Sequence, residues 1–321
     1  MNKKSEVIVS LTGGLGNQLF QLAAGIGIGY EKNLYLCSSF GAPRKSLDGA
    51  IDLLGFSLPK EIKTINNKQS SWFMCKVAGY ILRIGVSPKG LENSKLFSRI
   101  VKSIAGLPLS FHLKRKVMVV NSIGVGFSPI VTRAKVTLLF GYFQTFHWAA
   151  DDRVKQVMQD LKSNNAVIQI KYYELLASIE KPLIVHIRLG DYLSEKGFGI
   201  PSTEYYDDGI RQILELEKCK SIWLFSDQLH LAKTFVPNDL KIPIRVIDEF
   251  QDSPSATLEV MRLGYGYVIA NSTFSWWGAF LKKNAEAEVI APTPWFIGMP
   301  EPVDLIPAGW IRIDSRFKDT Y

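Results

Sequence analysis

The segment PLIVHIRLGDY, residues 182–192, decides the fold of the second half of this chain. Its first six residues are mostly apolar, a pattern typical of a buried strand in a parallel sheet. The strand then ends abruptly in Arg188, Gly190 and Asp191. In an open α/β sheet, ligands bind in the crevice beyond the carboxyl ends of the strands, so these residues are predicted to lie at such an edge.

Arg188 is the residue in this segment with the clearest chemical requirement. A permanently charged guanidinium at a sheet edge needs an anionic partner, and a nucleotide diphosphate would accept two parallel hydrogen bonds from it. The alternative is an ion pair between Arg188 and Asp191 that only closes a loop. Both interpretations remain open from these residues alone.

Strands and helices are predicted to alternate through the rest of the second half. The strands are expected at residues 183–187, 221–225, 244–247, 267–270 and 288–291, and the helices at 203–218, 228–235, 256–263 and 273–283. This alternation indicates an α/β domain with a parallel sheet and right-handed crossovers. The proline-rich residues 292–307 are predicted to form a tail over the surface.

The first half begins as a strand, a tight glycine turn and a helix. Its predicted strands are residues 7–11, 34–37, 117–120 and 136–140, and its predicted helices are 18–31, 148–161 and 166–179. Residues 60–116 are basic and lack a clear period, so irregular helices are expected there. The domain junction is placed at residue 180, which gives domains 1–180 and 181–321.

Composition bounds the class of protein. The chain has 321 residues, of which 47% are apolar, enough for two domains with their own cores. Its net charge of +8 suits an anionic ligand or an anionic membrane surface. Nucleic-acid binding is disfavoured because aromatic and basic residues are not interleaved.

Cysteine usage and hydropathy predict the compartment. Cys37, Cys75 and Cys219 are odd in number and widely spaced, which indicates neither zinc nor a disulfide framework and favours a reducing compartment. The apolar stretch 263–281 is interrupted by polar residues, which argues against a membrane span. We therefore expect a cytosolic protein with no transmembrane segment.

The glycine turn GGLGNQ, residues 13–18, lets backbone approach a ligand closely. A dinucleotide-binding fingerprint would need a third glycine where Leu19 stands, and an acid near the end of the next strand, which is missing. Asn17 and Gln18 can act as helix caps, or their amides can face a polar substrate.

Two further strand ends carry polar residues. Ser226 and Asp227 follow a strand, where Asp227 can accept from a ribose hydroxyl or a base amine, or cap the next helix. Residues 271–275 begin a helix whose N–H groups and hydroxyls suit a phosphate. The alternative for that segment is a capped helix with its aromatic residues in the core. His186 lies inside a strand and is interpreted as a satisfied core histidine.

No metal site is predicted from the sequence. The adjacent acids Asp151–Asp152 and Asp207–Asp208 fall on or beside amphipathic helices, where carboxylates usually face solvent. Neither pair is an Asp-x-Asp directly after a strand, which would hold a divalent cation on a nucleotide sugar. No Ser-His-Asp arrangement is found either.

Five ordered motifs together resemble the bacterial α-1,2-fucosyltransferases of glycosyltransferase family 11. They are GGLGNQLFQ at 13–21, GYFQ at 141–144, HIRLGDY at 186–192, FSD at 225–227 and NSTFSWWGA at 271–279. The resemblance implies a GT-B-like α/β fold, in which two Rossmann-like domains with parallel sheets face a central cleft. Residues 1–180 would then be the acceptor-side domain and 181–321 the nucleotide-sugar domain.

The resemblance also implies the reaction. Fucose would move from GDP-fucose, with inversion and without a metal or other cofactor, to the 2-hydroxyl of a β-galactoside in an oligosaccharide such as an O-antigen unit. An acceptor on a lipid carrier would suit a basic protein at the inner face of the cytoplasmic membrane. A different nucleotide-sugar donor, and a carbohydrate-binding protein that lost catalysis, are the alternatives.

The site residues follow from the same resemblance. Arg188 is expected to stabilise the departing diphosphate, Asp191 is the first candidate for the base, and Asn17 is a candidate for positioning the acceptor. The residues expected to bind the donor are His186, Arg188, Ser226, Asp227, Glu259, Asn271, Ser272, Thr273, Phe274 and Ser275.

Two positions depart from the family pattern. Leu189 stands where a second arginine is frequent, so any contact made by that charge is missing in this chain. Thr257 stands where an acid is expected, and Glu259 follows two positions later. Whether Glu259 takes over a nucleotide contact stays open.

Overall fold

A computed structural model describes residues 5–29, 32–38, 52–65, 109–113, 117–122, 126–127, 129–130, 132–193, 197–297, 300–302 and 304–317. The chain divides into two compact units. The first takes Met1–Leu54, Leu58–Leu161 and Val303–Leu305, and the second takes Gly55–Ser57, Lys162–Pro302 and Ile306–Tyr321. The sequence-based boundary at residue 180 assigned the helix 166–179 to the first domain, whereas this division assigns it to the second.

The described strands of the first unit form a six-stranded sheet. They are β1 (Glu6–Leu11), β2 (Asn33–Ser38), β3 (Ile62–Ile65), β4 (Leu109–Leu113), β5 (Val117–Ser122) and β6 (Val136–Gly141). Their order is β3-β2-β1-β6-β5-β4, and β4 pairs antiparallel with β5 while the other neighbours are parallel. The irregular helices expected over residues 60–116 are wrong for β3 and β4, and residues 66–108 lie outside the described part.

The helices of this unit are α1 (Leu15–Ile28), α2 (Phe146–Ala150) and α3 (Asp152–Asp160). Helix α1 begins three residues earlier than predicted, directly after Gly14. The single helix predicted over 148–161 is instead two helices. The Asp151 carboxylate accepts hydrogen bonds from the backbone N–H of Arg153 and Val154 and so caps the start of α3.

The second unit contains another six-stranded sheet. Its described strands are β7 (Pro182–Ile187), β8 (Ser221–Ser226), β9 (Ile244–Val246), β10 (Gly266–Val268), β11 (Glu288–Thr293) and β12 (Ile311–Asp314). All neighbours are parallel, in the order β12-β11-β10-β7-β8-β9. The sequence did not predict β12, which follows the proline-rich segment and pairs with β11.

The helices of the second unit are α4 (Val167–Glu180), α5 (Thr203–Leu214), α6 (Leu229–Ala232), α7 (Pro254–Met261) and α8 (Thr273–Phe280). Every residue of β7 is buried, as expected for a central strand covered on both faces. Tyr205 and Tyr206 of α5 are fully buried over the sheet. Burial raises the pKa of Tyr206 above its usual value, so its hydroxyl stays a hydrogen-bond donor.

The predicted α/β class with two Rossmann-like sheets is confirmed. In the first sheet the chain returns from the edge strand β4 through β5 to β6, which lies beside β1. In the second sheet the first strand, β7, instead lies in the middle, and the chain builds outward on both sides of it. The strand order therefore reverses between β7 and β10. Ligands of open α/β sheets bind at such switch points, beyond the carboxyl ends of the strands. Among the described helices, none has the length and apolar character needed to cross a bilayer.

Candidate active site

The switch point of the second unit brings together two of the predicted motifs. Arg188 directly follows β7, and helix α8 begins at Thr273, a few residues after β10. Strands β7 and β10 are hydrogen-bonded neighbours. A guanidinium and the start of a helix therefore lie beyond the carboxyl ends of adjacent strands, where an anionic ligand is expected.

Arg188 is paired with two carboxylates. Its Nε and Nη2 donate to Asp191 Oδ1 at 3.1 and 2.8 Å, and its Nη1 lies 3.1 Å from Asp227 Oδ2. The Arg188–Asp191 ion pair that the sequence left open is therefore present. A guanidinium has five N–H donors, so these contacts do not exhaust it. The side chain is 33% exposed, and an anion can reach it.

Asp227 holds the loop that follows β7. Its Oδ1 accepts a hydrogen bond from the backbone N–H of Leu189 at 3.0 Å, and its Oδ2 faces Arg188. A Cβ on Gly190 would clash with Asp227 Oδ2, so a larger residue at this position would displace that carboxylate. The turn after β8 is instead closed by Ser226, whose Oγ accepts from the Gln228 N–H at 3.0 Å.

His186 is buried at the end of β7, but it is not fully satisfied. Its backbone carbonyl accepts from the Tyr206 hydroxyl at 3.2 Å, while Nδ1 has no hydrogen-bond partner among the described residues. Burial, and then the positive charge of Arg188, lowers the pKa of His186 to about 3, against an opposing effect of Asp227. The imidazole is therefore neutral near pH 7. Its ring centre lies 6.0 Å from that of Phe274 in α8.

The polar side chains at the start of α8 mostly stabilise the helix itself. Ser272 Oγ accepts from the Phe274 N–H at 3.3 Å, which makes Ser272 the N-cap. Ser275 Oγ donates to the carbonyl oxygens of Ala270 and Ser272 at 3.2 and 3.1 Å. Thr273 is half-buried. The first backbone N–H groups of a helix lack intrahelical partners, so those that Ser272 Oγ does not cap are the donors that this segment offers to an anion.

Asn271 anchors the segment between β10 and α8. Its Nδ2 donates to the carbonyl oxygens of Phe198, Gly199 and Trp295 at 2.8, 3.1 and 3.1 Å. Its Oδ1 is buried and has no hydrogen-bond partner in the described part of the chain. Asn271 Oδ1 and His186 Nδ1 are thus two unpartnered polar atoms on the two neighbouring strand ends of the switch point. Buried polar atoms normally have partners, so these two atoms are exceptions at the strand ends.

Tyr192 was not singled out from the sequence, yet it connects both halves of this site. Its hydroxyl donates to the carbonyl oxygen of Asn271 at 3.1 Å. The Arg188 guanidinium carbon lies 5.7 Å from the centre of its ring, within the range of a cation–π contact. The only signal in the sequence was its position at the end of the motif.

Glu259 lies on α7 and is engaged elsewhere. Its carboxylate accepts from the Ser163 N–H at 2.9 Å and forms longer ion pairs with Arg262 at 3.6 Å and Lys162 at 3.8 Å. None of these partners is a predicted site residue. The Thr257 hydroxyl donates to the carbonyl oxygens of Phe250 and Ser253. The role of Glu259 in binding a nucleotide stays a prediction.

Asn17 lies near the start of α1, beyond the carboxyl end of β1 in the first unit. Its Oδ1 accepts a hydrogen bond from Gln144 Nε2 at 2.9 Å, which joins the segment after β1 to the segment after β6. Gln18 faces inward instead, since it donates to the Gly13 carbonyl and accepts from the Leu53 N–H. Neither amide is the cap of α1, whose N-cap is Gly14 without a side-chain bond.

A histidine–aspartate pair in the first unit was missed by sequence reasoning. His147 Nε2 lies 3.2 Å from Asp304 Oδ1, and the ring lies 4.7 Å from Phe127 and 4.1 Å from Phe146. The partners are 157 positions apart, so no local pattern could indicate the pair. Within the ranges that the structure describes, no group of three or more His, Cys, Asp or Glu residues could hold a metal ion.

Comparison with known proteins identifies similar sequences over this region. The model of the family described as glycosyl transferase family 11 matches residues 134–298, just over half of the chain. An α-1,2-colitosyltransferase from Escherichia coli is 29% identical, over 97% of this chain and 100% of that protein. The O-antigen biosynthesis glycosyltransferase WbnK from Escherichia coli is 29% identical, over 50% of this chain and 55% of that protein.

Two solved fucosyltransferase structures are similar to this chain. The crystal structure of the α-1,6-fucosyltransferase NodZ soaked with GDP-fucose has a TM-score of 0.49 and 12% sequence identity, and the match covers 87% of this chain and 93% of that chain. A second crystal structure of NodZ, from Bradyrhizobium, has a TM-score of 0.48 and 13% identity, with coverage of 86% and 93%.

Proposed function

We propose, because this chain belongs to glycosyl transferase family 11, that it transfers fucose from GDP-fucose to the 2-hydroxyl of a β-galactoside. The matched relatives support an O-antigen or similar surface glycan as the product, since one of them is an O-antigen biosynthesis glycosyltransferase. The configuration at C1 of the sugar inverts in the proposed reaction. The acceptor is a galactose-terminated oligosaccharide.

The observation that carries the proposal is that Arg188 and the start of α8 follow the neighbouring strands β7 and β10 at the switch point of the second sheet. The two unpartnered buried atoms, His186 Nδ1 and Asn271 Oδ1, lie on the same two strand ends. The anionic oxygens of a nucleoside diphosphate suit Arg188 and the start of α8. Its other hydrogen-bonding groups suit His186 Nδ1 and Asn271 Oδ1. GDP-fucose is therefore assigned to the second unit.

The chemistry requires a site for developing negative charge. The bond between C1 of fucose and the diphosphate oxygen breaks, and its electron pair leaves with GDP. A new bond forms between C1 and the galactose O2, which loses its proton. Donors that are already in place where the charge develops provide the main electrostatic stabilisation. Arg188 and the first N–H groups of α8 take this role in the proposal.

His186 contributes as a neutral group. Because its pKa is lowered to about 3, it adds no charge to the site near pH 7. A neutral imidazole has one N–H donor and one acceptor nitrogen, so Nδ1 can make one directional bond to the donor substrate. Its proposed role is to position GDP-fucose rather than to neutralise the diphosphate.

Asp191 and Asn17 are assigned to the acceptor side of the reaction. Asp191 Oδ1 already accepts two hydrogen bonds from Arg188, which supports a role in orienting the guanidinium. Asp191 is also the first candidate for the base. Asn17 is fixed by Gln144 and is proposed to hold an acceptor hydroxyl.

The reaction is proposed to need no metal, because Arg188 and α8 can take the charge that a divalent cation would otherwise take. Incubation with GDP-fucose and a panel of β-galactosides, with and without a chelator, tests this directly. The expected result is an α-1,2-linked fucosyl product in equal yield in both arms. A product that forms only with added cation would remove the metal-free assignment.

Colitose is the second candidate donor sugar. The relative that matches 97% of this chain is an α-1,2-colitosyltransferase, and colitose is fucose without its 3-hydroxyl. The donor test therefore includes GDP-colitose beside GDP-fucose. A kcat/KM at least tenfold higher with GDP-colitose would reassign the donor while retaining the site. If the protein neither hydrolyses nor transfers the sugar of either donor, the proposed function is rejected.

We assign the protein to the cytoplasm, where nucleotide sugars are available.

A further inference from the structure

Helix α4 presents an apolar stripe to solvent. Ile168, Tyr172, Leu175 and Ile179 are spaced by four, three and four residues, so they lie along one face of the helix. Their exposed fractions are 81%, 56%, 70% and 70%. Single exposed apolar residues are ordinary, whereas a contiguous row of four on one helix is a candidate interaction surface. We call these four residues the α4 stripe.

The opposite face of α4 already supplies the packing that the fold needs. Ile170, Tyr173 and Ala177 are buried, and the Tyr173 ring makes edge contacts with Trp223 and Phe250 at 5.3 and 5.4 Å. Because this inner face fixes the helix, the α4 stripe is not required for the core. An amphipathic surface helix would carry polar residues at those positions.

The charges near the stripe favour an anionic surface. The acids of α4 are each held by a cation, Glu174 by Lys283 and Glu180 by Arg245. Lys171 of the same helix is exposed beside the stripe, whereas Lys181 after the helix is half-buried with its ammonium 5.9 Å from the centre of the Tyr265 ring. The chain as a whole carries a net charge of +8. Basic residues beside an apolar helix face bind anionic lipid by combining burial with electrostatic attraction.

The dimensions of the stripe favour a lipid surface over a second copy of the chain. From residue 168 to 179 the helix rises roughly 17 Å, and a single helix is about 10 Å wide. Such a footprint is several-fold smaller than the roughly 800 Å² that each partner buries in a stable protein interface. A helix of 14 residues is also too short to cross the roughly 30 Å hydrocarbon core of a bilayer, so α4 can only lie on it.

We infer that the α4 stripe docks this protein on an anionic membrane surface, with Lys171 at the level of the headgroups. The Tyr172 ring suits that boundary, because one end is apolar and the other polar. This surface is separate from the residues of the proposed donor site. The inference therefore stands or fails independently of the transfer reaction.

Flotation of the full chain with vesicles tests the inference. Wild type should float with phosphatidylcholine vesicles that contain phosphatidylglycerol, bind less to phosphatidylcholine alone, and dissociate at high salt. The double variant Ile168→Gln/Leu175→Gln should bind about ten- to a hundred-fold more weakly, because two large apolar side chains no longer enter the lipid. The matched control is Leu216→Gln/Leu231→Gln, since those residues are 45% and 46% exposed elsewhere. It should bind like wild type.

Thermal melting of each variant confirms that the fold is retained, and transfer to a soluble galactoside should be unchanged in both. Wild type that fails to float, or a stripe variant that binds as well as the control, would overturn the inference. Sedimentation in the absence of lipid measures the oligomeric state and so tests whether a second copy of the chain covers the stripe. A dimer that the stripe variant alone dissociates would assign the surface to a second copy instead.

Discussion

Replacement of Arg188 by alanine separates the two interpretations of its charge most sharply. If the guanidinium only closes a loop, the change removes ion pairs with Asp191 and Asp227. These side chains are 33%, 46% and 25% exposed, and pairs of this kind stabilise a fold by about 0–1 kcal/mol each. The expected loss of stability is therefore at most about 2 kcal/mol.

Loss of a hydrogen-bond donor that stabilises charge in the transition state raises the activation barrier by more than this loss of folding stability. By analogy with oxyanion-hole donors, we expect Arg188→Ala to lower kcat by about 10²–10⁴-fold, or roughly 3–5 kcal/mol of barrier. The assay measures turnover of GDP-fucose with a β-galactoside, together with GDP affinity by calorimetry and the melting temperature. A large fall in kcat in a protein that still melts cooperatively assigns the effect to the reaction.

The chain offers a matched control in Arg211 of α5. It is also partly exposed and also paired with two acids, Asp207 at 2.8 Å and Asp239 at 2.7 Å. It lies on a helix and away from the strand ends of the switch point. Arg211→Ala should therefore lower stability by a similar amount and leave kcat within about twofold. If both variants lose turnover equally, or if Arg188→Ala retains a third or more of it, the reasoning is refuted.

Three other predictions concern neighbouring residues. In Gly190→Ala the added Cβ would clash with Asp227 Oδ2, so the carboxylate must move. We expect kcat and the melting temperature to fall together, and an unchanged kcat would contradict the role of this contact. In Asp191→Asn, loss of turnover with retained GDP affinity indicates a base, whereas little change in turnover indicates that Asp191 only orients Arg188. The lowered pKa of His186 means that the unfolded chain binds one more proton between about pH 3 and 6.5. Stability contributed by neutral His186 is therefore present above pH 6.5 and lost as the pH falls through that window. The melting temperature measured between pH 3 and 6.5 should depend less on pH in His186→Asn than in wild type. An identical pH dependence would contradict the lowered pKa of His186.

The architecture of the second unit was largely predictable because its elements alternate in a regular way. Each short apolar run between helical segments became a parallel strand, from β7 to β11. Strand β12 was missed because Pro292–Pro307 indicated a surface tail, and only pairing with β11 makes residues 311–314 a strand. Pairing between distant segments leaves little trace in local pattern.

The site was predictable where partners are close in sequence. The pair of Arg188 and Asp191 spans three positions, and a turn after a strand brings them together. The second partner, Asp227, was expected to contact the substrate or cap a helix, and its bond to Leu189 spans 38 positions. That contact follows from β7 and β8 being neighbours, which the sequence implied without fixing the register.

Some polar residues contribute to the site in a different way from that expected. Asn271 was expected to contact the donor, but its amide nitrogen donates to three backbone carbonyls and holds two loops together. His186 was interpreted as a satisfied core residue, yet Nδ1 lacks a partner among the described residues. Sequence alone reports that an amide or imidazole is present, and only tertiary packing decides which of its atoms remain for a ligand.

The central claim is that Arg188 and the start of α8 together receive the diphosphate of the sugar donor. A crystal structure of the chain with GDP tests it most directly. The account predicts diphosphate oxygens within hydrogen-bond distance of an Arg188 guanidinium nitrogen and of the first backbone N–H groups of α8. Diphosphate bound far from both groups, with clear density for the nucleotide, would contradict the account.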